Sequence, residues 1–152
     1  ITSLLCGAMI NFWAYFIFFL PIRIFSGGYH AKSSESCFVL STIMYGLSIA
    51  ITFFFPLLYQ NWKWIIAGVI SILVILVLSP MVNENNPLTE SQQKRNRIIV
   101  CILLAADLVV FILSYNFNWR IASNVLVFIV FDALLLLIGK VISYQGMGIH
   151  ES

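Results

Sequence analysis

"IIVCILLAADLVVFILSY", residues Ile98 to Tyr115, carries a single carboxyl group and no other charge in eighteen positions. A helix that crosses a bilayer needs about 20 mainly apolar residues, and this run comes close. Its apolar residues are continuous rather than alternating, and backbone in lipid must satisfy its hydrogen bonds within its own segment, so helix is favoured over strand. Four further runs read the same way: Ser3 to Ile22, Phe38 to Leu58, Trp62 to Leu78 and Ile121 to Ile142. The expected architecture is all-α, a polytopic membrane bundle of about five transmembrane helices, forming one domain over residues 1–152.

The composition agrees. Of the 152 residues 61% are hydrophobic and 9% charged, with a mean hydropathy of +1.00, whereas a soluble domain draws roughly a quarter of its residues from the charged types. A net charge of +2 is too small to argue for nucleic acid. No small-residue cleavage site follows the first apolar run, so that run does not read as a signal peptide. The chain starts with Ile rather than Met, and the expectation is that one N-terminal helix of a six-span parent is missing. Three cysteines make an odd count, which disfavours a disulfide framework; Cys6 and Cys101, inside apolar runs, read as small buried apolar residues.

The connections carry the polar residues. Pro21 is expected to close the first run, because the residue before proline is pushed out of the helical region. "YQNWKW" after Pro56 is a tight turn with interfacial aromatics at Tyr59, Trp62 and Trp64. In "SPMVNENNPLTESQQKRNR", Ser79 to Arg97, the T-x-x-Q at Thr89 to Gln92 reads as a capping box that starts a helix carrying Lys94, Arg95 and Arg97. Arg23, Lys32, Lys94, Arg95, Arg97 and Lys140 fall on one side of the expected topology, against Lys63 and Arg120 on the other. Cytoplasmic loops are the ones enriched in Lys and Arg, so the first and third connections are expected on the cytoplasmic side.

The first connection, "RIFSGGYHAKSSESC", Arg23 to Cys37, holds one of two histidines and one of three cysteines. A cysteine peptidase needs a thiolate and an imidazole within hydrogen-bond reach. His30 and Cys37 are the only such pair in a connection, but a spacing of seven is two helical turns, about 10.5 Å, so on one unbroken helix they could not touch. Gly27 and Gly28 permit the break, and Ser33 or Ser34 can cap the next helix, leaving Cys37 in or near its first turn, where the helix dipole favours an anion. The glycines could also bring backbone N–H groups to an oxyanion. On spacing alone, a His and a Cys seven apart are more often unrelated polar residues than a dyad. No metal site is expected, since no further ligands are suitably spaced, and no cofactor is called for.

This connection resembles the signature of the AgrB family, the accessory gene regulator protein B, in which an arginine precedes Gly-Gly-x-His-Ala and a cysteine follows the histidine by seven residues. Arg23, Gly27, Gly28, His30, Ala31 and Cys37 match, and Asn86 to Leu88 resembles the family's second cytoplasmic loop. The resemblance implies a membrane cysteine endopeptidase of Gram-positive bacteria that processes the precursor of a quorum-sensing peptide. Cys37 would be the nucleophile and His30 its general base, with Arg23, Gly27 and Gly28 in supporting or substrate-binding roles. Cleavage of an AgrD-like precursor would leave a thioester on Cys37, which an internal thiol or hydroxyl of the peptide resolves into a thiolactone or lactone, the autoinducing peptide. Besides precursor and lipid bilayer, the resemblance implies a homodimer.

Asp107 and Asp132 stand apart, because a carboxylate in mid-span is costly and a functional role is the default. A polar contact between helices is the expected role. A small transporter or export scaffold working through these two residues is the competing reading, under which Cys37→Ala would keep function. A third is a noncatalytic partner of a peptide or sensor, in which Cys37 would have an ordinary thiol. The charged rim of Glu84, Glu90, Lys94, Arg95 and Arg97 reads as a solvated anchor or a docking surface for a partly acidic peptide.

Overall fold

The computed structural model describes residues 9, 11–27, 34–55, 58–81 and 88–149. Five helices follow in order: α1 (Asn11–Ser26), α2 (Ser34–Phe54), α3 (Trp62–Leu78), α4 (Glu90–Ser114) and α5 (Trp119–Ile149), with a 3-10 turn at Leu58–Gln60. Among the described residues there is no strand. α4 and α5 are long and apolar enough to cross a membrane, whereas the apolar stretches Asn11–Ser26, Thr42–Phe54 and Trp62–Leu78 are shorter.

Pro21 does not close the first helix, contrary to the sequence-based expectation. Proline lacks an N–H and its ring crowds the carbonyl four residues back. Here a π-helical turn, Tyr15–Phe19, widens the helix just before it, and the Leu20 N–H reaches back to the Tyr15 carbonyl. The chain absorbs the proline and stays helical to Ser26. The ring of Tyr15 stacks on Phe19 at 4.9 Å, and both pack on Phe128 of α5, which holds the widened turn.

The start of α4 agrees with the sequence. The Thr89 side chain accepts from the Gln92 N–H, and the Gln92 side chain accepts from the Thr89 N–H at 2.9 Å, a complete capping box. α3 begins in a similar way, with the Asn61 side chain accepting from the Lys63 N–H.

α5 is the centre of the bundle and touches each of the other four helices. Within its most apolar stretch 72% is buried, against 22% for α4, so α5 is walled in by protein while α4 turns most of its surface outward. Lipid is as apolar as Leu, so helices associate in a membrane by close packing and polar contacts rather than by hydrophobic exclusion. α5 supplies both through Ala122, Ser123, Asn124 and Ala133, all buried. α3 approaches so closely at Gly68 that a Cβ there would lie 2.5 Å from Leu126 Cδ1.

One buried polar contact ties α1 to α5: the Asn124 side-chain amide donates to Asn11 Oδ1 at 2.6 Å. Interhelical hydrogen bonds of this kind contribute about 0.6 kcal/mol on average and about 1.7 at most. A double-mutant cycle with Asn11→Ala and Asn124→Ala, read by thermal unfolding in detergent, is expected to give a coupling inside that range. Strict additivity would show that the pair does not join the helices.

Candidate active site

The end of α1 sets the geometry. Ile22 is fully buried among Ile75 of α3, Val100 and Leu104 of α4, and Ile129, Ala133 and Leu136 of α5. One turn on, the helix stops at Ser26, and Gly27 takes φ 77 and ψ −128, a conformation that L side chains rarely adopt. The Ser26 carbonyl accepts a hydrogen bond from the Met81 N–H at 2.9 Å. This contact pins the chain leaving α3 against the chain leaving α1. A Cβ on Gly27 would sit 2.5 Å from the Met81 carbonyl oxygen and 3.1 Å from its nitrogen, so the glycine is required by contact as well as by φ. The first and third connections therefore start from one shared junction.

From this junction the first connection leads to α2, whose first turn contains Cys37. Of Cys37 the backbone alone is described; Gly28 and His30 lie outside the described residues, as do Cys6, Lys32, Glu84 and Asn86. Cys101 departs from its expected burial: it is exposed on the outward face of α4. The reason is its place beside the buried stripe Asn96, Val100, Leu104 and Asp107 rather than on it. Lys94, Arg95 and Arg97 are exposed at the start of α4, and Glu90 shares that exposure.

Asp107 and Asp132 are both buried, 4% and 1% exposed. Asp107 continues the buried stripe of α4, and Asp132 shares a face of α5 with Ile129 and Leu136 by its three- and four-residue spacings. Asp132 lies in the electrostatic field of both Arg23 and Asp107. Asp132 on α5 thus feels charge-bearing residues of α1 and α4. Neither oxygen of Asp132 has a hydrogen-bond partner among the described residues. The sequence singled out all three residues but nothing in it related them to one another. It also gave no sign of the Met81 contact, and it passed over Asn11 and Asn124, whose signal was a polar amide deep in an apolar run.

The all-helical bundle, with two helices long and apolar enough to cross a membrane, supports a helical membrane protein. The sequence profile of the family described as Accessory gene regulator B matches residues 1–139, and the chain belongs to that family. Membership ties it to the accessory gene regulator system. AgrB-like protein 2 of Clostridium perfringens strain 13 is 28% identical over 145 aligned positions, covering 86% of this chain and 68% of that protein. An AgrB-like protein of Clostridium perfringens strain SM101 is 27% identical over 119 positions, covering 72% of this chain and 56% of that protein. No solved structure matches this fold.

Proposed function

We propose that the protein is a membrane cysteine endopeptidase that cleaves an AgrD-like precursor and passes the product on as a thioester. The observation that carries this is the start of α2: a helix beginning at Ser34 sets Cys37 in its first turn, where unpaired backbone N–H groups and the dipole favour a thiolate. Family membership supports the same assignment, and the sharp turn at Gly27 lets the connection depart from helical geometry, which a His and a Cys two turns apart would need in order to meet.

In this mechanism His30 takes the Cys37 proton, and the thiolate attacks a backbone carbonyl of the precursor. The tetrahedral intermediate collapses with loss of the amine, which leaves with the proton from His30, and the acyl group stays on sulfur. A thiol or hydroxyl within the peptide then gives its proton to His30, attacks the thioester, forms the ring bond and returns Cys37 as thiolate. Thioester exchange is near thermoneutral while hydrolysis discards the activated bond, so a site that excludes water favours the ring. Five spans, with the first and third connections on the cytoplasmic side of a Gram-positive cell membrane, complete the proposal, together with a homodimer.

The test is trapping. Protein in liposomes is mixed with an AgrD-like precursor, quenched in acid and weighed intact. The expected result is a mass increase on Cys37 equal to the N-terminal part of the peptide. Cleavage that proceeds undiminished in Cys37→Ser, with no adduct, would overturn the cysteine mechanism.

A further inference from the structure

The outward face of α4 opens with three cations. Lys94, Arg95 and Arg97 are exposed, and among the described residues none of the three side chains has an ion pair, hydrogen bond or ring contact. Where α3 and α5 begin, by contrast, Lys63 stands over the Trp62 ring at 6.0 Å and Arg120 over the Trp119 ring at 5.1 Å. The first turn of α4 is closed by its capping box, so the charge it offers an anion is carried mainly by these side chains. Against Glu90, exposed one turn before Lys94, they leave a net positive charge.

Beyond the cations the face is apolar and open. At about 100° per residue, Lys94, Ile98, Cys101, Ala105 and Val109 follow one line along α4, with Arg95 and Arg97 on either side of it. The buried stripe Asn96, Val100, Leu104 and Asp107 lies on the far side of the helix. Ile98 and Val109 are 61% and 55% exposed, and Cys101 and Ala105 are exposed between them. From Ile98 to Val109 the line runs about 16 Å, close to half of the ~30 Å hydrocarbon thickness of a bilayer. One leaflet therefore matches it, with the cations at the level of the headgroups.

We propose that this face of α4 is a seat for an anionic phospholipid: the phosphate lies among Lys94, Arg95 and Arg97, and an acyl chain runs along the line from Ile98 to Val109. Charge complementarity carries the choice of occupant. Basic side chains at a membrane surface attract anionic headgroups, and the flexible stems of Lys and Arg reach that level. A zwitterionic lipid fits the apolar line as well but brings a cation of its own to the cluster. A soluble acidic peptide answers the charges and leaves the apolar line uncovered. A second copy docked face to face would set its three cations against these. The proposal stands apart from the peptidase reading and needs no precursor to test.

Cys101 lies on the line and reports it. In the full chain with Cys6→Ala and Cys37→Ala, Cys101 is labelled with bimane and the protein is placed in vesicles of equal parts phosphatidylglycerol and phosphatidylcholine, one or the other carrying brominated acyl chains as a short-range quencher. The expected result is that phosphatidylglycerol occupies the site beside the label about tenfold more tightly than phosphatidylcholine. Lys94→Gln/Arg95→Gln/Arg97→Gln is expected to abolish the preference while brominated phosphatidylcholine still quenches, which shows the face intact. Lys63→Gln/Arg120→Gln is expected to keep it. A preference that survives the triple variant, or that is lost equally in the Lys63 and Arg120 pair, overturns the proposal. So does equal quenching by the two lipids, and a bimane emission shifted by an acidic peptide in pure phosphatidylcholine would then give the cluster to a peptide. Absence of quenching by either lipid means that another chain covers the face, and overturns it too. Should the triple variant not fold, salt decides on the unmutated cations: 1 M salt, with a Debye length of about 3 Å, is expected to erase most of the preference, and a preference indifferent to salt refutes the charge pairing.

Discussion

Under the proposed mechanism, Cys37→Ala is expected to abolish precursor cleavage, with a fall in turnover of about 10⁴-fold or more, the scale on which losing a nucleophile acts in enzymes of this chemical type. Alanine removes the sulfur and little else, and the described packing of this 21-residue helix, through Met44, Tyr45 and Ile51, lies beyond the first turn that holds Cys37. The variant should therefore insert, fold and bind precursor as the wild type does. His30→Ala is expected to cost a comparable factor, and the double variant no more than the worse single, because nucleophile and base act as a unit. Quantifying the released C-terminal fragment over hours, with binding measured separately, distinguishes a chemical defect from a docking defect. Substantial cleavage by Cys37→Ala would shift attention to Asp107 and Asp132 and the export reading.

Gly27→Ala is the second large effect, and it arises before any chemistry. A non-glycine residue in so unusual a backbone conformation costs about 1–3 kcal/mol. The new Cβ would in addition meet the Met81 carbonyl at 2.5 Å, and Met81 cannot simply retreat, because its N–H is held by the Ser26 carbonyl. Relief requires that hydrogen bond to break, adding about 1–3 kcal/mol if the groups stay buried. The expected outcome is a clear drop in thermal stability in detergent together with a loss of cleavage. Gly46→Ala serves as the reference: it lies within α2 with nothing inside 4 Å of its would-be Cβ, and is expected to be neutral or mildly stabilising. Equal behaviour of the two variants would mean that the junction at Met81 is not formed in the membrane.

Much of the fold could be read from the chain because lipid imposes a blunt rule. Backbone must close its own hydrogen bonds and side chains must be apolar, so continuous runs announce helices, and Thr89 with Gln92 marked one start to the residue. What could not be read depended on neighbours. Pro21 looked like a terminator, and the π-helical turn that accommodates it is held by Phe128, more than a hundred residues away. All five runs were similarly apolar, so only the small and polar residues of α5 hinted that it would be the one surrounded. Arg23 and Asp132 were each conspicuous, but no periodicity links residues on the first and last described helices. The proposed dyad stood out as two residue types in one connection and through the family resemblance, not through spacing, and His30 lies outside the described residues.

The central position of α5 bears on how the protein is made. Chains enter the membrane in the order of synthesis, and the helix around which this bundle is arranged is the last of the five described to emerge. Until it arrives, α1 lacks the partner of Asn11, and α3 lacks Leu126, the side chain that packs closest on Gly68. The four earlier helices share few contacts without it, so the arrival of the fifth would draw them together in one late step. If the chain is the peptidase proposed above, it would stay inert until that step, since the segment bearing Cys37 is made before the helix that the bundle packs around.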